Sequence, residues 1–340
     1  MHMADALLSP GTGLLMWLAS GATLAMAARR VPQRADDSLV PLMGMLGAFV
    51  FAAQMINFSI PGTGSSGHLG GALLLSILLG PHAAFVVVAS VLTVQALFFA
   101  DGGLLALGAN LFNLGVLPCY LAYPLVYRPL AGKSPSPRRA SVAAVVAAVA
   151  GLQLGALAVV LQTVASGISS LPAAVFLGLM LPIHLAIGLV EGLATAALLR
   201  FLRRARPELL ASAPGAPSWR RALLTSLALA TALTGGVLSW FASTQPDGLE
   251  WSVLGASGQA HPAAPAPGLH AALDGLQQQL AWLPGYALPD SGTSPPAQEQ
   301  AWPDVNAGTT LAGLVGGAVT LAVVMLVGLG LRRRRASRPR

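Results

Sequence analysis

The sequence predicts an all-α, polytopic membrane protein, in which a seven-helix bundle is followed by a two-helix hairpin. Three observations support this prediction: the composition, the length of the apolar segments and the placement of the basic residues. Of 340 residues, 55% are hydrophobic and only 9% are charged, and the mean hydropathy is +0.70. Average soluble domains contain roughly 25% charged residues, so the composition excludes an ordinary soluble domain.

Several apolar segments are long enough to cross a bilayer as helices, which takes roughly 20 residues. They lie at about residues 11–28, 39–57, 83–100, 104–127, 140–166, 172–199, 222–242 and 308–331. A further, shorter apolar segment occupies about residues 67–81. By length alone, this last segment is ambiguous.

The basic residues resolve the ambiguity, because Lys and Arg stay on the cytoplasmic side of short loops. The cluster at 29–34 follows the first apolar segment, which predicts an external N-terminus. The next cluster, at 128–139, must again be cytoplasmic, so three crossings are needed between residues 58 and 127. The segment at 67–81 is therefore a crossing, and we expect its outer end to be non-helical and buried in protein.

The resulting count is about nine transmembrane helices, with all 19 Lys and Arg and the C-terminus on the cytoplasmic side. The external loop at 243–306 contains no Lys or Arg but six acidic residues. The net charge of +7 thus reflects topology and indicates no nucleic-acid partner. We expect a multi-pass protein of the cell (inner) membrane, surrounded by the lipid bilayer.

Two membrane units are predicted. Residues 1–205 form the seven-helix unit, and residues 206–218, rich in Pro, Ala and Ser, form a cytoplasmic linker. Residues 219–340 form the two-helix accessory unit with its extracytoplasmic loop at 243–306. The N-terminus is not expected to be a secretory signal, since no basic residue precedes the first apolar segment.

An external N-terminus places Met1 and His2 on the outer side of the membrane. A chain that begins Met-His offers a metal ion its terminal amine, the His2 amide nitrogen and the His2 imidazole within one fused chelate. His68, in the glycine-rich loop 62–68, would complete a square of four nitrogens. Square-planar nitrogen sites select Ni(II) and Cu(II), whereas zinc prefers tetrahedral sites. The alternative is that His68 is an ordinary turn residue and the N-terminus is frayed.

Other polar residues lie in or near the predicted membrane segments. His184 and Glu191 are seven residues apart and share one helix face, and ionisable groups in a membrane are functional candidates. The alternative for both is a hydrogen bond that fixes helix packing. The amides Asn57 and Asn113 are candidates for holding the His68 loop, or for joining helices.

The remaining polar residues favour less specific roles. Joining helices is the favoured interpretation for Gln95 and Asn110. The histidines without ligand-like spacing are interpreted as solvated surface; they are His82, His261 and His270.

Five segments resemble the CbiM/NikM family, the substrate-specific components of energy-coupling-factor nickel and cobalt importers. They are MHMADALLSP at 1–10, FAAQMINF at 51–58, GHLGG at 67–71, QALFFADGG at 95–103 and GANLFN at 108–113. The resemblance covers about residues 1–200. The second unit is similar to the NikN-like accessory subunit of such importers, which carries the PDGLE motif found here at 246–250.

The resemblance implies a membrane component that captures nickel ions through the Met1 amine, the His2 amide and ring nitrogens, and His68. Cobalt is the alternative substrate, because the same ligands serve both metals in the family. The opening departs from the family's usual pattern: Met3, Ala4 and Ala6 replace Ile, Pro and Gly, so the N-terminal segment is less restrained.

No P-loop sequence occurs, so the chain is not expected to be an enzyme that hydrolyses ATP by this chemistry. The resemblance implies a transmembrane coupling (T) subunit and cytoplasmic ATPase subunits as partners. A remote alternative is a rhomboid-like intramembrane serine protease, with a serine of the turn 64–67 as nucleophile and His184 as base.

Overall fold

The computed structural model describes residues 1–31, 39–205, 217–259, 268–288 and 302–336. The predicted linker at 206–218 lies almost entirely outside these residues, as do His261 and parts of the external loop. The all-α prediction is confirmed within the described chain, where the only sheet is a two-stranded hairpin.

Helices occupy every predicted membrane segment. They are α1 (Pro10–Arg30), α2 (Leu39–Gln54), α3 (Ala72–Leu79), α4 (Pro81–Phe99), α5 (Leu107–Ala131), α6 (Pro137–Ser166), α7 (Ala173–Ala205), α8 (Pro217–Gly236) and α11 (Ala307–Ala336). Of the described helices, six are long and apolar enough to cross a membrane, and α2 is a shorter apolar helix. The count of nine crossings stays a prediction. Two further helices, α9 (Gly248–Ser257) and α10 (Leu269–Leu280), lie between α8 and α11 and were not predicted.

Helix boundaries follow local sequence signals. Ser9 caps α1 by accepting a hydrogen bond from the Thr12 amide, and Pro10 occupies the first turn, where no amide donor is needed. Asp247 caps α9, and Glu250 returns the bond to the Asp247 amide, which completes a capping box. Asp247 therefore begins a helix within the loop between α8 and α11.

The segment at 67–81 is confirmed as partly non-helical. Residues 68–71 have no regular secondary structure, and α3 has only 8 residues. Gly71 joins the two parts with a φ of +74°, and a Cβ at this position would lie 2.8 Å from Val50, so only glycine fits without strain. Residues 68–71 are enclosed by protein, as irregular backbone at membrane depth requires.

The strands β1 (Phe58–Ile60) and β2 (Ser65–Gly67) form an antiparallel hairpin directly before residues 68–71. The accessory unit packs against the first unit rather than standing apart from it: α11 lies along α2, and α8 contacts both. Gly44 of α2 makes this approach possible, because a Cβ there would lie 2.8 Å from Leu321 of α11.

Candidate metal centre

The amino nitrogen of Met1 lies inside the protein, between the two membrane units. It donates a hydrogen bond to Nε2 of His68 at 3.0 Å and forms an ion pair with Oδ2 of Asp247 at 2.6 Å. The Met1 side chain is buried against the core. The structure thus brings the terminal amine and the loop histidine together, although they are 67 residues apart.

The ring of His2 stacks on the ring of His68. Their centroids are 5.1 Å apart and their planes differ by 7°. Nδ1 of His2 faces Oδ1 of Asp101 at 3.1 Å, and Tyr286 donates a hydrogen bond to the other carboxylate oxygen of Asp101 at 2.5 Å. Met1, His2 and His68 therefore form one cluster, with a carboxylate on either side.

Hydrogen bonds to the backbone of Met3 hold the N-terminal segment in place. The amide of Met3 donates to the Asn110 side-chain oxygen at 2.7 Å, and the Asn110 side-chain nitrogen donates to the Met3 carbonyl at 3.2 Å. The Gly103 amide also donates to the Met3 carbonyl, at 2.9 Å. The interpretation of Asn110 as a residue that joins helices is therefore wrong: it binds backbone next to the cluster.

The His68 loop is held by Glu191 of α7. Its two carboxylate oxygens accept hydrogen bonds from the amides of Gly70 and Gly71 at 3.0 and 3.1 Å. From the other side, Gln54 donates to the Gly70 carbonyl at 2.8 Å, and Gln95 donates to Gln54. Buried polar groups thus fix the backbone that follows His68.

The predicted amides have different roles. Asn113 forms a reciprocal amide pair with Gln162 of α6, at 2.8 and 2.9 Å, and approaches the sulfur of Met3 at 3.6 Å. It therefore joins α5 to α6 next to the N-terminal segment, which is the second of the two roles predicted for it. The backbone carbonyl of Asn57 accepts a hydrogen bond from the Ser243 amide at 2.7 Å, which ties the accessory unit to the start of the hairpin.

His184 lines the same narrow cavity as Met1, His68 and Asp247. The side chain is 1% exposed. Its Nδ1 lies 2.8 Å from the Met180 carbonyl, which can only accept, so Nδ1 carries the proton. Within the described residues, Nε2 has no hydrogen-bond partner.

The accessory unit covers the cluster through its PDGLE motif. Asp247 reaches the Met1 amine, and a Cβ on Gly248 would lie 3.2 Å from the ring of His184. Leu249 is buried, and the Trp251 indole donates to the Thr63 carbonyl at 2.9 Å. The sequence predicted no role for this loop at the metal site. The signal available was an Asp-Gly pair directly after the predicted helix.

The interpretation of His270 as solvated surface is wrong, and His82 is only partly exposed. His270 of α10 is buried, and its Nε2 lies 2.8 Å from the Leu8 carbonyl, which places the external loop over the N-terminal segment. His82 is half-buried at the opposite end of the bundle, 3.0 Å from the Tyr120 hydroxyl. Both histidines lie where tertiary contacts, rather than local sequence, decide exposure.

Two ionised carboxylates face the nitrogen cluster. Burial raises the pKa of Asp247, but the Met1 ammonium, His68 and the hydrogen bonds to the carboxylate together outweigh burial and hold the pKa well below its ordinary value. Burial likewise raises the pKa of Asp101, while His2 and the Tyr286 hydroxyl lower it by more. The cluster is therefore negatively charged around its nitrogens, which favours a cation.

The contacts that a serine protease would need are different. The hydroxyl of Ser66 donates to the Gln245 carbonyl at 2.7 Å, and that of Ser65 to the Ser66 carbonyl at 3.2 Å. Among the described residues, neither hydroxyl forms a hydrogen bond with His184. Across the part of the chain that the structure describes, no group of three His, Cys, Asp or Glu side chains is arranged for a metal.

A multi-pass bundle with histidines and a buried amine at one end defines a membrane transport component for transition-metal ions. Residues 2–209 match the family model CbiM, described as a cobalt uptake substrate-specific transmembrane region, and residues 221–333 match the PDGLE domain. The chain belongs to the CbiM family, here followed in the same polypeptide by a PDGLE domain. The resemblance stated from the sequence motifs is confirmed.

Some relatives are named as nickel transport proteins and others as cobalt transport proteins. The fused nickel transport protein NikMN of Rhodobacter capsulatus is 33% identical and aligns over 99% of this chain and 100% of its own length. The cobalt transport protein CbiM of Geobacter sulfurreducens is 35% identical over 67% of this chain and 68% of its own. A crystal structure of a truncated transition metal transporter is 30% identical, with a TM-score of 0.54, over 60% of this chain and 99% of that one.

Proposed function

We propose that this chain captures Ni(II) on the outer side of the membrane through four nitrogens: the Met1 amine, the His2 amide and ring nitrogens, and Nε2 of His68. The observation that carries the proposal is the position of the Met1 amine, 3.0 Å from His68 Nε2 and next to the stacked His2 ring. The proposal includes a chain that begins at Met1 with a free amine. Co(II) is the second candidate, since a named relative transports it.

The charges of the cluster fit the replacement of two protons by one divalent metal ion. Ligands bind metals in their deprotonated forms, so the Met1 ammonium and the His2 amide each lose a proton. An ammonium is then replaced by a divalent ion and an amide anion, which together carry the same single positive charge. With a neutral His2 ring, the positive charge that faces Asp247 and Asp101 is therefore the same before and after loading.

Loading also requires one local movement. In a fused chelate, the amide nitrogen and Nδ1 of His2 must reach the same ion, because Nε2 points away from the backbone. Nδ1 lies 3.1 Å from Asp101 instead. The His2 ring therefore turns away from Asp101 when the metal enters, and Asp101 holds the ring near its position until then.

Transport needs further subunits in this proposal. The chain contains no P-loop sequence, so a transmembrane coupling subunit and cytoplasmic ATPases provide the energy for uptake. The purified chain is expected to bind Ni(II) without hydrolysing ATP. ATP hydrolysis by the purified chain would contradict this division.

The decisive experiment is isothermal titration of the detergent-purified protein with Ni(II). Two glycines added before Met1 turn the Met1 amine into an amide and move the histidine to the fourth position, so that neither the original chelate nor the four-nitrogen chelate of a third-position histidine can form. We expect three variants to weaken Ni(II) binding: the N-terminal extension, His2→Ala and His68→Ala. Each loss should exceed the 10–100-fold typical of residues that only orient ligands. The matched controls are two glycines added after Arg340 and His82→Ala, which should bind as the parent does. Unchanged affinity in the N-terminally extended protein would refute the proposed site.

A further inference from the structure

We propose that His184 is the entering ligand for metal exchange at this site: Nε2 of His184 bonds to the metal while the bond to His68 breaks. The inference rests on the proposed function, and it assigns a step to a side chain outside the four-nitrogen set. The metal is bound at rest by four nitrogens, and His184 takes part only during loading and release.

The first observation is the state of the His184 ring. Because Nδ1 donates a hydrogen bond to the Met180 carbonyl at 2.8 Å, the proton of the neutral ring is on Nδ1 and the lone pair is on Nε2. Metal-binding histidines are usually oriented in this way, with the second ring nitrogen donating to a backbone carbonyl. The ring is thus held in the tautomer that a metal ligand needs.

The second observation is the environment of Nε2. The atom is buried, and no partner lies within hydrogen-bond reach among the described residues. Leaving a buried acceptor unpaired costs roughly 1–3 kcal/mol, and such groups in native proteins call for an explanation. A transient bond to a metal ion gives this lone pair a use.

The third observation is position. His184 lines the cavity that also contains Met1, His68 and Asp247. The ring is packed against Gly248, which directly follows the residue that binds the Met1 amine. A second cavity is also lined by Met1 and Gly70, together with Glu191. His184 lies on the wall of the first cavity, which also contains Met1 and His68.

The chemistry of planar Ni(II) makes such a donor effective. A square-planar ion has open positions above and below its plane, and a fifth ligand can therefore bind before one of the four leaves. The coordinate bond from His184 Nε2 forms, and that from His68 Nε2 breaks. No electron is transferred, and water returns the protons to the amide and the amine as the metal departs.

The test measures the rate of Ni(II) loss from the full-length, detergent-purified protein after addition of EDTA, by the decay of the nickel absorption bands. His184→Phe and His184→Ala should release Ni(II) at least about tenfold more slowly than the parent, while affinity and the planar absorption spectrum stay the same. Added imidazole should restore the rate of His184→Ala in proportion to its concentration. The matched control is Gln153→Leu, which removes a hydrogen bond to the Leu181 carbonyl of the same helix and should leave the rate unchanged.

The proposal also makes a prediction for the unsubstituted protein, so it does not depend on the folding of the variants. Because a bond forms before another breaks, hydrostatic pressure should speed nickel release from the parent. An unchanged release rate in a folded His184 variant, an altered planar spectrum, or a parent rate that falls with pressure would each overturn this role. If instead His68→Ala and the extended N-terminus leave nickel affinity intact, it is the proposed function that fails.

Discussion

The amino nitrogen of Met1 and the carboxylate of Asp247 lie 2.6 Å apart, although 246 residues separate them in the chain. One belongs to the segment that matches the CbiM family, and the other to the PDGLE domain. The contact gives that motif a physical meaning in this chain: Asp247 binds the amine, and the residues after it close the cavity. The accessory unit is therefore part of the wall of the candidate site.

Replacing Asp247 with Asn should destabilise the metal-free protein. The Met1 ammonium would stay buried without a counter-charge, and breaking a buried pair costs on the order of 3 kcal/mol. A lower midpoint of thermal unfolding in detergent would show this. Asp274→Asn, on an exposed side chain of the same loop, is the control and should unfold as the parent does. Equal midpoints for the two variants would show that the Met1–Asp247 contact does not matter to stability.

Replacing Glu191 with Gln should weaken nickel binding by about tenfold, or ~1.4 kcal/mol. A carboxylate accepts from both glycine amides, whereas the amide group of Gln directs its own donor at one of them. The loop after His68 would then shift. Thr195→Val, one turn further along α7, serves as the control, and titration with Ni(II) measures both. Parent-like affinity in Glu191→Gln would remove Glu191 from the site.

Replacing Asn110 with Ala should free the N-terminal segment. Both backbone groups of Met3 lose a partner, so Met1 and His2 must be ordered by the metal itself, at a cost in affinity of 10–100-fold. The control Thr93→Val removes a hydroxyl that bonds only within its own helix. Nickel titration of the two variants gives the comparison, and equal affinities would contradict the role of Asn110.

Single cysteines test the predicted topology. In a Cys119→Ala background, cysteine at Ser257 should react with an impermeant maleimide applied to intact cells, whereas cysteine at Ser134 should be protected. Both positions are exposed in the structure, so a difference in labelling reports the side of the membrane. Labelling at 134 with protection at 257 would reverse the orientation.

Some features followed from local sequence. The helices of the membrane segments form where apolar runs are long, because their backbone must be satisfied internally in lipid. The short third crossing was predicted from charge alone, since an even number of crossings would place a basic cluster outside. His2 and His68 were recognisable because a chelate and a glycine-rich loop are both local features.

Other features depend on distant contacts and could not be predicted from local pattern. Asp247 and Tyr286 belong to a loop that appeared unrelated to the metal site, and Asn110 has the spacing of an ordinary helix residue. His270 is buried only because α10 folds over the N-terminal segment. Composition, apolar length and charge placement predict which segments enter the membrane, and local motifs indicate which residues can bind a metal. Tertiary packing decides which charges meet the amine, because burial and pairing depend on groups that are far apart in the chain.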